Sequence, residues 1–317
     1  MNIVVLILIG AFLLFLLSGG YVFYAACARR KEHSWMDKEA LAKTPYGKYY
    51  DCILQADAWL KEHNAQDVFI TSKDGLKLHG VWVPAENPRG TIILAHGYRS
   101  TKLVDFGVAF PYYHEHGFNV LSPDHRAHGQ SQGRFITFGV KESDDILRWI
   151  RYHNQSFGEI PVFLSGLSMG ASTVMFLADA QLPENVKGTI ADCGFTSPKD
   201  IITCVFRNTV HFSPGPILVV SELFARLFAG FSLTEKDTRK ALQNSKRPVL
   251  LIHGADDDYV PCSMTKESYA ACNGPKELLL VEGAGHGVSF LVDHQRYCQV
   301  LEAFLERCLK NEEKDGI

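Results

Sequence analysis

The chain has 317 residues, 46% hydrophobic and 21% charged, with a formal net charge of −3. This is ordinary globular composition, enough for one large domain or two small ones, and no basic surface argues for nucleic acid. No repeat with a period of about 20 to 50 residues is visible, and no segment is of low complexity.

Residues 3–28, IVVLILIGAFLLFLLSGGYVFYAACA, carry no charge and exceed the roughly 20 residues a helix needs to cross a bilayer. A cleaved signal peptide would want a positive n-region, which Met1-Asn2 does not supply. The Tyr24–Cys27 stretch YAAC has the wrong first position for a lipid-modification box, and a buried core helix would not need such uniform apolarity. The reading is a single-pass membrane anchor, residues 1–28. Arg29, Arg30 and Lys31 follow it, which places the C-terminal domain on the cytoplasmic side. None of the eight cysteines falls in a CxxC pair, as expected of free thiols in a reducing compartment.

Residues 29–66 read as a helical connector. The stretch DVFITSKDGLKLHGVWVP is a hairpin around Lys73-Asp74-Gly75. Continuous apolar runs follow: TIILAHG, FNVLSPD, PVFLSG, VKGTIADCG, RPVLLIHG and KELLLVEG. Each reads as a strand, the first two buried on both faces. Helical patterns lie between them, around 103–115, 140–153, from 168, and near 263–272. A last helix spans about 294–309. The alternation predicts an α/β domain with a largely parallel sheet. Residues 195–240 break the rhythm and read as an inserted cap, leaving 67–194 and 241–317 as the core.

Ser168 stands in LSGLSMGAS, between Gly166 and Gly170. A sharp strand-to-helix turn leaves no room for side chains at the flanking positions and exposes the hydroxyl at the helix N-terminus. The plainer alternative is an N-cap serine with flexible neighbours. A serine nucleophile needs a histidine base oriented by a carboxylate. His286, in EGAGHGVSF after the last predicted strand, reaches the same sheet edge. The carboxylate is expected after the preceding strand, where IHGADDDYVP offers Asp256, Asp257 and Asp258. The order Ser, Asp, His suits this arrangement. Preorganised N–H donors stabilise an oxyanion by about 3 kcal/mol each. Met169 N–H is one candidate and Tyr98 N–H, in HGYRSTK, the other. His96 is a weaker second candidate for the base.

Taken together, HGY at 96–98, DHRAHGQSQG at 124–133, GLSMG at 166–170, IHGADDDYVP at 252–261 and GAGHG at 283–287 resemble the α/β-hydrolase superfamily. More narrowly, the chain is similar to membrane-anchored bacterial serine-aminopeptidase-like hydrolases, which resemble cinnamoyl and feruloyl esterases. The resemblance covers about residues 68–309. It implies an eight-stranded, mostly parallel sheet flanked by helices, with a helical cap. It assigns the acid to Asp257, with Asp256 as fallback, and implies no metal or organic cofactor. The family's usual Asp-x-Arg-Gly-His-Gly-x-Ser has Ala127 in place of its first glycine. Asp124 and Arg126 are expected to hold that loop by pairing.

The cap's Phe212, Leu218, Leu223, Phe224 and Leu227 are expected to line an acyl site, or to pack only on the body and each other. A face lying on the bilayer is a third reading. The leading function is hydrolysis of small acyl or aryl esters through an acyl-enzyme. An aminopeptidase would need an acidic recess, and Glu222, Glu235 and Asp237 are too scattered to make one. A thioesterase or acyltransferase would use the same residues. A catalytically dead, membrane-tethered binding module is disfavoured because all three triad residue types are present.

Overall fold

The computed structural model describes residues 2–30, 38–43, 46–210 and 214–310. It opens with α1 (Ile3–Cys27), the short α2 (Lys38–Leu41) and α3 (Tyr50–Glu62). The hairpin β1 (Gln66–Thr71) and β2 (Lys77–Val83) comes next, then β3 (Gly90–Ala95), α4 (Lys102–Phe106), α5 (Ala109–Glu115) and β4 (Phe118–Pro123). The helix expected over 103–115 is therefore two, broken at Gly107–Val108. The α/β alternation continues with α6 (Val140–Phe157), β5 (Val162–Leu167), α7 (Met169–Met175) and β6 (Val186–Asp192). The inserted region holds α8 (Pro198–Val210), α9 (Gly215–Phe224) and a π-helical turn at Ala225–Ala229. The chain then runs through α10 (Thr238–Gln243), β7 (Val249–Gly254), α11 (Cys262–Ala271), β8 (Lys276–Val281), α12 (Ser289–Val292) and α13 (His294–Lys310).

The eight strands form one sheet in the order β1-β2-β4-β3-β5-β6-β7-β8. Only β1–β2 and β2–β4 are antiparallel. The central strands are apolar along their length because helices cover both faces. Ile92, Ile93, Val120, Phe163, Leu164, Leu250 and Leu251 are completely buried. On α6, Ile146, Trp149, Ile150 and His153 recur at helical spacing and face this core,. Chain order reverses at β3, whose neighbours are β4 and β5. The carboxyl ends of strands beside such a reversal form the crevice where ligands bind in open α/β sheets.

The apolar helix α1 is not detached from the body. Its buried residues are Gly19, Phe23 and Cys27, four apart and hence on one face,. That face packs on α9. A Cβ on Gly19 would lie 2.4 Å from Val220 Cβ, so only glycine permits this approach. The Ser221 hydroxyl donates to the Gly19 carbonyl at 2.9 Å. Phe23 meets the rings of Phe135, Phe224 and Phe228. Below the helix, Ala28 pairs with Phe135 in an antiparallel bridge. Arg29 N–H donates to the Arg134 carbonyl at 2.8 Å, and Ile136 N–H to the Cys27 carbonyl at 2.7 Å.

Candidate functional site

Ser168 sits between β5 and α7 with φ 56° and ψ −115°, a conformation that costs a non-glycine residue strain,. The surrounding packing enforces it. A Cβ at Gly166 would stand 2.2 Å from the Gly170 carbonyl oxygen, and one at Gly170 only 1.8 Å from that of Ala95. Two glycines thus let α7 dock against the ends of β3 and β5 while the serine is pushed out of the turn.

Three loops bring their side chains to this point. His286 Nε2 lies 2.9 Å from Ser168 Oγ, and its Nδ1 lies 2.7 Å from Asp257 Oδ2. Nδ1 faces a carboxylate and so carries the proton, which leaves the Nε2 lone pair directed at the hydroxyl. Of the three consecutive aspartates, Asp257 is the one bonded to His286. Its Oδ1 accepts Tyr259 and Val260 N–H, each at 2.9 Å. Its Oδ2 also lies 3.2 Å from His253 Nε2. Burial alone would raise this carboxyl, but the hydrogen bonds from His253, His286 and Val260 hold it well below the usual carboxylate range,. His253, which sequence reasoning passed over, is completely buried on β7 and contacts the Val260 carbonyl and Thr265 hydroxyl with its two ring nitrogens.

The Met169 and Tyr98 N–H groups lie at the start of α7 and in the loop after β3. Neither donates to another group among the described residues. Gly97 N–H donates to Asp105 Oδ2 at 2.6 Å, and Arg99 N–H to His128 Nε2 at 3.0 Å. The N–H groups on both sides of Tyr98 are thereby tied down. His96 is part of this scaffold: its Nε2 accepts His125 N–H at 3.0 Å. Burial, reinforced by mutual repulsion, pushes His96, His125 and His128 down to about 3, so all three are neutral near pH 7. Arg126 grips Asp145 with two bonds of 2.7 Å and reaches Asp74. Asp124 bonds His79 at 2.6 Å and pairs with Lys102. These pairs brace the 124–133 loop.

A cavity of about 360 Å³ opens in front of Ser168. One wall comes from α8, with Ile201, Ile202 and Val205; Tyr98, Phe138 and Phe195 close its inner side. The facing wall is α1, with Tyr21, Val22, Ala25 and Ala26. The residues expected there are elsewhere. Leu218 is buried in the packing of the cap, and Phe224 stacks near Phe23. Leu223 and Leu227 are exposed. Phe212 lies outside the described residues. Instead α1 packs on α9 and itself lines the cavity, whose described lining includes no residue of α9. Tyr98 Oη donates to the Ala26 carbonyl at 2.6 Å, fastening the loop after β3 to that wall.

Cys193, Asp257 and His286 bring one potential metal-ligand atom each within 4.8 Å of one another. Burial, with Asp192 next to it, raises the Cys193 thiol well above its ordinary pKa.

Asp192, at the end of β6, accepts the Ser168 N–H on its carbonyl at 2.8 Å. Burial raises its carboxyl from 3.8 to about 6 despite the nearby His253 and His286. The folded state then binds the proton more tightly than the unfolded chain. The associated stability is complete below about pH 4 and lost as pH rises through about 6, worth about 3 kcal/mol. Asp192→Asn is expected to flatten this part of the stability profile. Urea unfolding at pH 4.5 and pH 7 checks it, and an unchanged difference between the two would count against the assignment.

Residues 86–214 match the family described as "Serine aminopeptidase, S33". YqkD of Bacillus subtilis is 30% identical over 241 residues, covering 75% of this chain and 78% of that one. YfhR of Escherichia coli K12 is 25% identical over 253 residues, covering 78% and 81%. Among solved structures, the Pyrococcus furiosus esterase Pf2001 superimposes with a TM-score of 0.64 at 24% identity, covering 79% of this chain and 95% of that one. Sequence match and shared architecture agree: the chain belongs to the α/β-hydrolase superfamily.

Proposed function

We propose that the chain hydrolyses carboxylic esters through an acyl-enzyme on Ser168. The observation that carries the reading is the unbroken line from Asp257 through His286 to Ser168, with spacings of 2.7 and 2.9 Å. Ser168 Oγ attacks the ester carbonyl while His286 Nε2 takes its proton. Met169 and Tyr98 N–H groups receive the oxyanion. The ester C–O bond breaks and the alcohol leaves with the proton from His286. Water, deprotonated by the same imidazole, then releases the acid and restores the serine. Asp257 holds the imidazole in the tautomer both steps need.

An uncharged acyl group suits the cavity. Its described lining is apolar apart from Ser168, Thr209, the two tyrosines Tyr98 and Tyr259 beside Tyr21, and Arg99. No carboxylate lies in that lining to receive the ammonium of an N-terminal residue, and Arg99 would repel it. This favours an ester over an aminopeptidase substrate, in keeping with the esterase among the structural neighbours. The hydrogen bonds that tie Ala25–Arg29 to the body support a retained α1, serving as a membrane anchor.

The test is a fluorophosphonate probe on the full chain, with peptide mapping, alongside p-nitrophenyl esters and aminoacyl anilides. Label on Ser168 and turnover of the esters are expected. Turnover of anilides with no ester cleavage would reverse the choice of substrate, and label elsewhere would remove the nucleophile.

A further inference from the structure

The geometry points to a membrane-resident acyl ester as the substrate, passing by its hydrocarbon chain from the bilayer into a pocket that α1 walls. The inference rests on the ester-hydrolase reading and concerns where the ester comes from and what its acyl part is.

The length of α1 is the first argument. From Ile3 to Ser18 the helix rises only about 24 Å, short of the roughly 30 Å of a bilayer's hydrocarbon core. Gly19 is its first buried residue, on the face that packs on α9. Completing the crossing therefore takes the α1–α9 contact into the lipid. The exposed surface of that region is suited to it: Val219 is 71% exposed, Leu227 68%, Phe228 61% and Leu223 49%. These apolar side chains extend the apolar surface of α1 onto the cap, where Arg226 is paired with Glu222,.

The cavity mouth belongs to the same surface. Tyr21 and Val210 line the cavity and are 72% and 51% exposed. One is on the apolar helix and the other ends α8, so an acyl chain entering between them comes from beside α1. Charge supplies the third argument. Arg29 donates to the Ser131 and Gly129 carbonyls, Arg99 to those of Ala25 and Ala28, and Arg30 to that of Ala25. Among the described residues none of the three pairs with a carboxylate. Their charges collect where the helix leaves the lipid, at the level of anionic headgroups. The chemistry stays that of Ser168: the acyl–oxygen bond of the ester is exchanged for the serine ester, and water releases a fatty acid.

The full chain would be reconstituted in phosphatidylcholine–phosphatidylglycerol vesicles and assayed on monopalmitoylglycerol carried in them and on p-nitrophenyl acetate in solution. Val22→Trp, which fills the pocket from the α1 wall, is expected to lower the palmitoyl-to-acetyl ratio of kcat/KM at least about tenfold, since even one methylene of fit is worth that much. The double variant Leu227→Asp, Phe228→Asp is expected to lower turnover of the vesicle-borne ester relative to the same ester in detergent micelles. Unchanged ratios in both variants, or turnover of acetate with none of the vesicle-borne ester, would overturn the inference and leave the hydrolase reading standing. Absence of acetate turnover and of Ser168 labelling would instead bring down the hydrolase reading itself.

Discussion

Replacing Asp257 by asparagine is expected to lower kcat for ester hydrolysis by about 10⁴, against about 10⁶ for Ser168→Ala. The four donors around this carboxylate explain why an isosteric change is so costly. Oδ1 receives two backbone N–H groups, and Oδ2 faces ring nitrogens of His286 and His253. His253 Nε2 lies 2.9 Å from the Val260 carbonyl as well, so it carries its proton and offers no lone pair. An asparagine amide must turn its NH₂ toward one pair of donors or the other. Turned toward the imidazoles, it drives the His286 proton to Nε2, where a base must have none. Turned the other way, it strands the Tyr259 and Val260 N–H groups, a loss of about 1–3 kcal/mol in stability. Steady-state kinetics with urea unfolding on the same variant would show both effects. A variant within tenfold of wild type would mean that Asp257 does not set the tautomer.

Gly170→Ala is expected to cost about 3 kcal/mol or more, since relief requires backbone to move and not just a side chain. The added methyl would stand 1.8 Å from the Ala95 oxygen and 2.8 Å from that of His96. Ala95 ends β3 and His96 opens the loop that leads to Tyr98, so any shift that relieves the clash also moves the Tyr98 N–H, the proposed oxyanion donor. Activity should therefore fall further than the folded fraction does. Gly285→Ala is the comparison, because nothing lies within 4 Å of a Cβ there and its φ is not positive. It should stay within about 0.5 kcal/mol of wild type. Equal midpoints for the two variants in urea would show that α7 does not dock as closely as described.

What the sequence disclosed and what it concealed divide along a physical line. The central strands were legible because burial on both faces writes a continuous apolar run, as in Ile92–Leu94 or Leu250–Ile252, and the β1–β2 hairpin because alternation flanks a turn. That Ser168, Asp257 and His286 meet at one sheet edge was legible because each follows such an apolar run, and the proposed chemistry asks for one residue type at each place. The pocket was not. A helix that is apolar all round gives no sign of which face meets protein, so Gly19, Phe23 and Cys27 looked like any other part of an anchor. The same loss of polarity misled the reading of the cap. Leu223 and Leu227 fitted three readings equally, lining the pocket, packing on the body or facing the bilayer, and their exposure removes the first two. His253 and the His96–His125–His128 cluster act through contacts made in three dimensions, and no local pattern announces those.

The backbone pairing of Cys27 and Arg29 with Arg134 and Ile136 has a practical corollary. A fragment trimmed after residue 28 to ease purification would lose the backbone partners of Phe135 and Ile136, the seat of the Tyr98 hydroxyl, and the Tyr21, Val22, Ala25 and Ala26 side of the cavity together. Such a fragment would accept bulkier molecules than the intact protein and hold slender ones less firmly, so a substrate screen run on it would describe a different vessel.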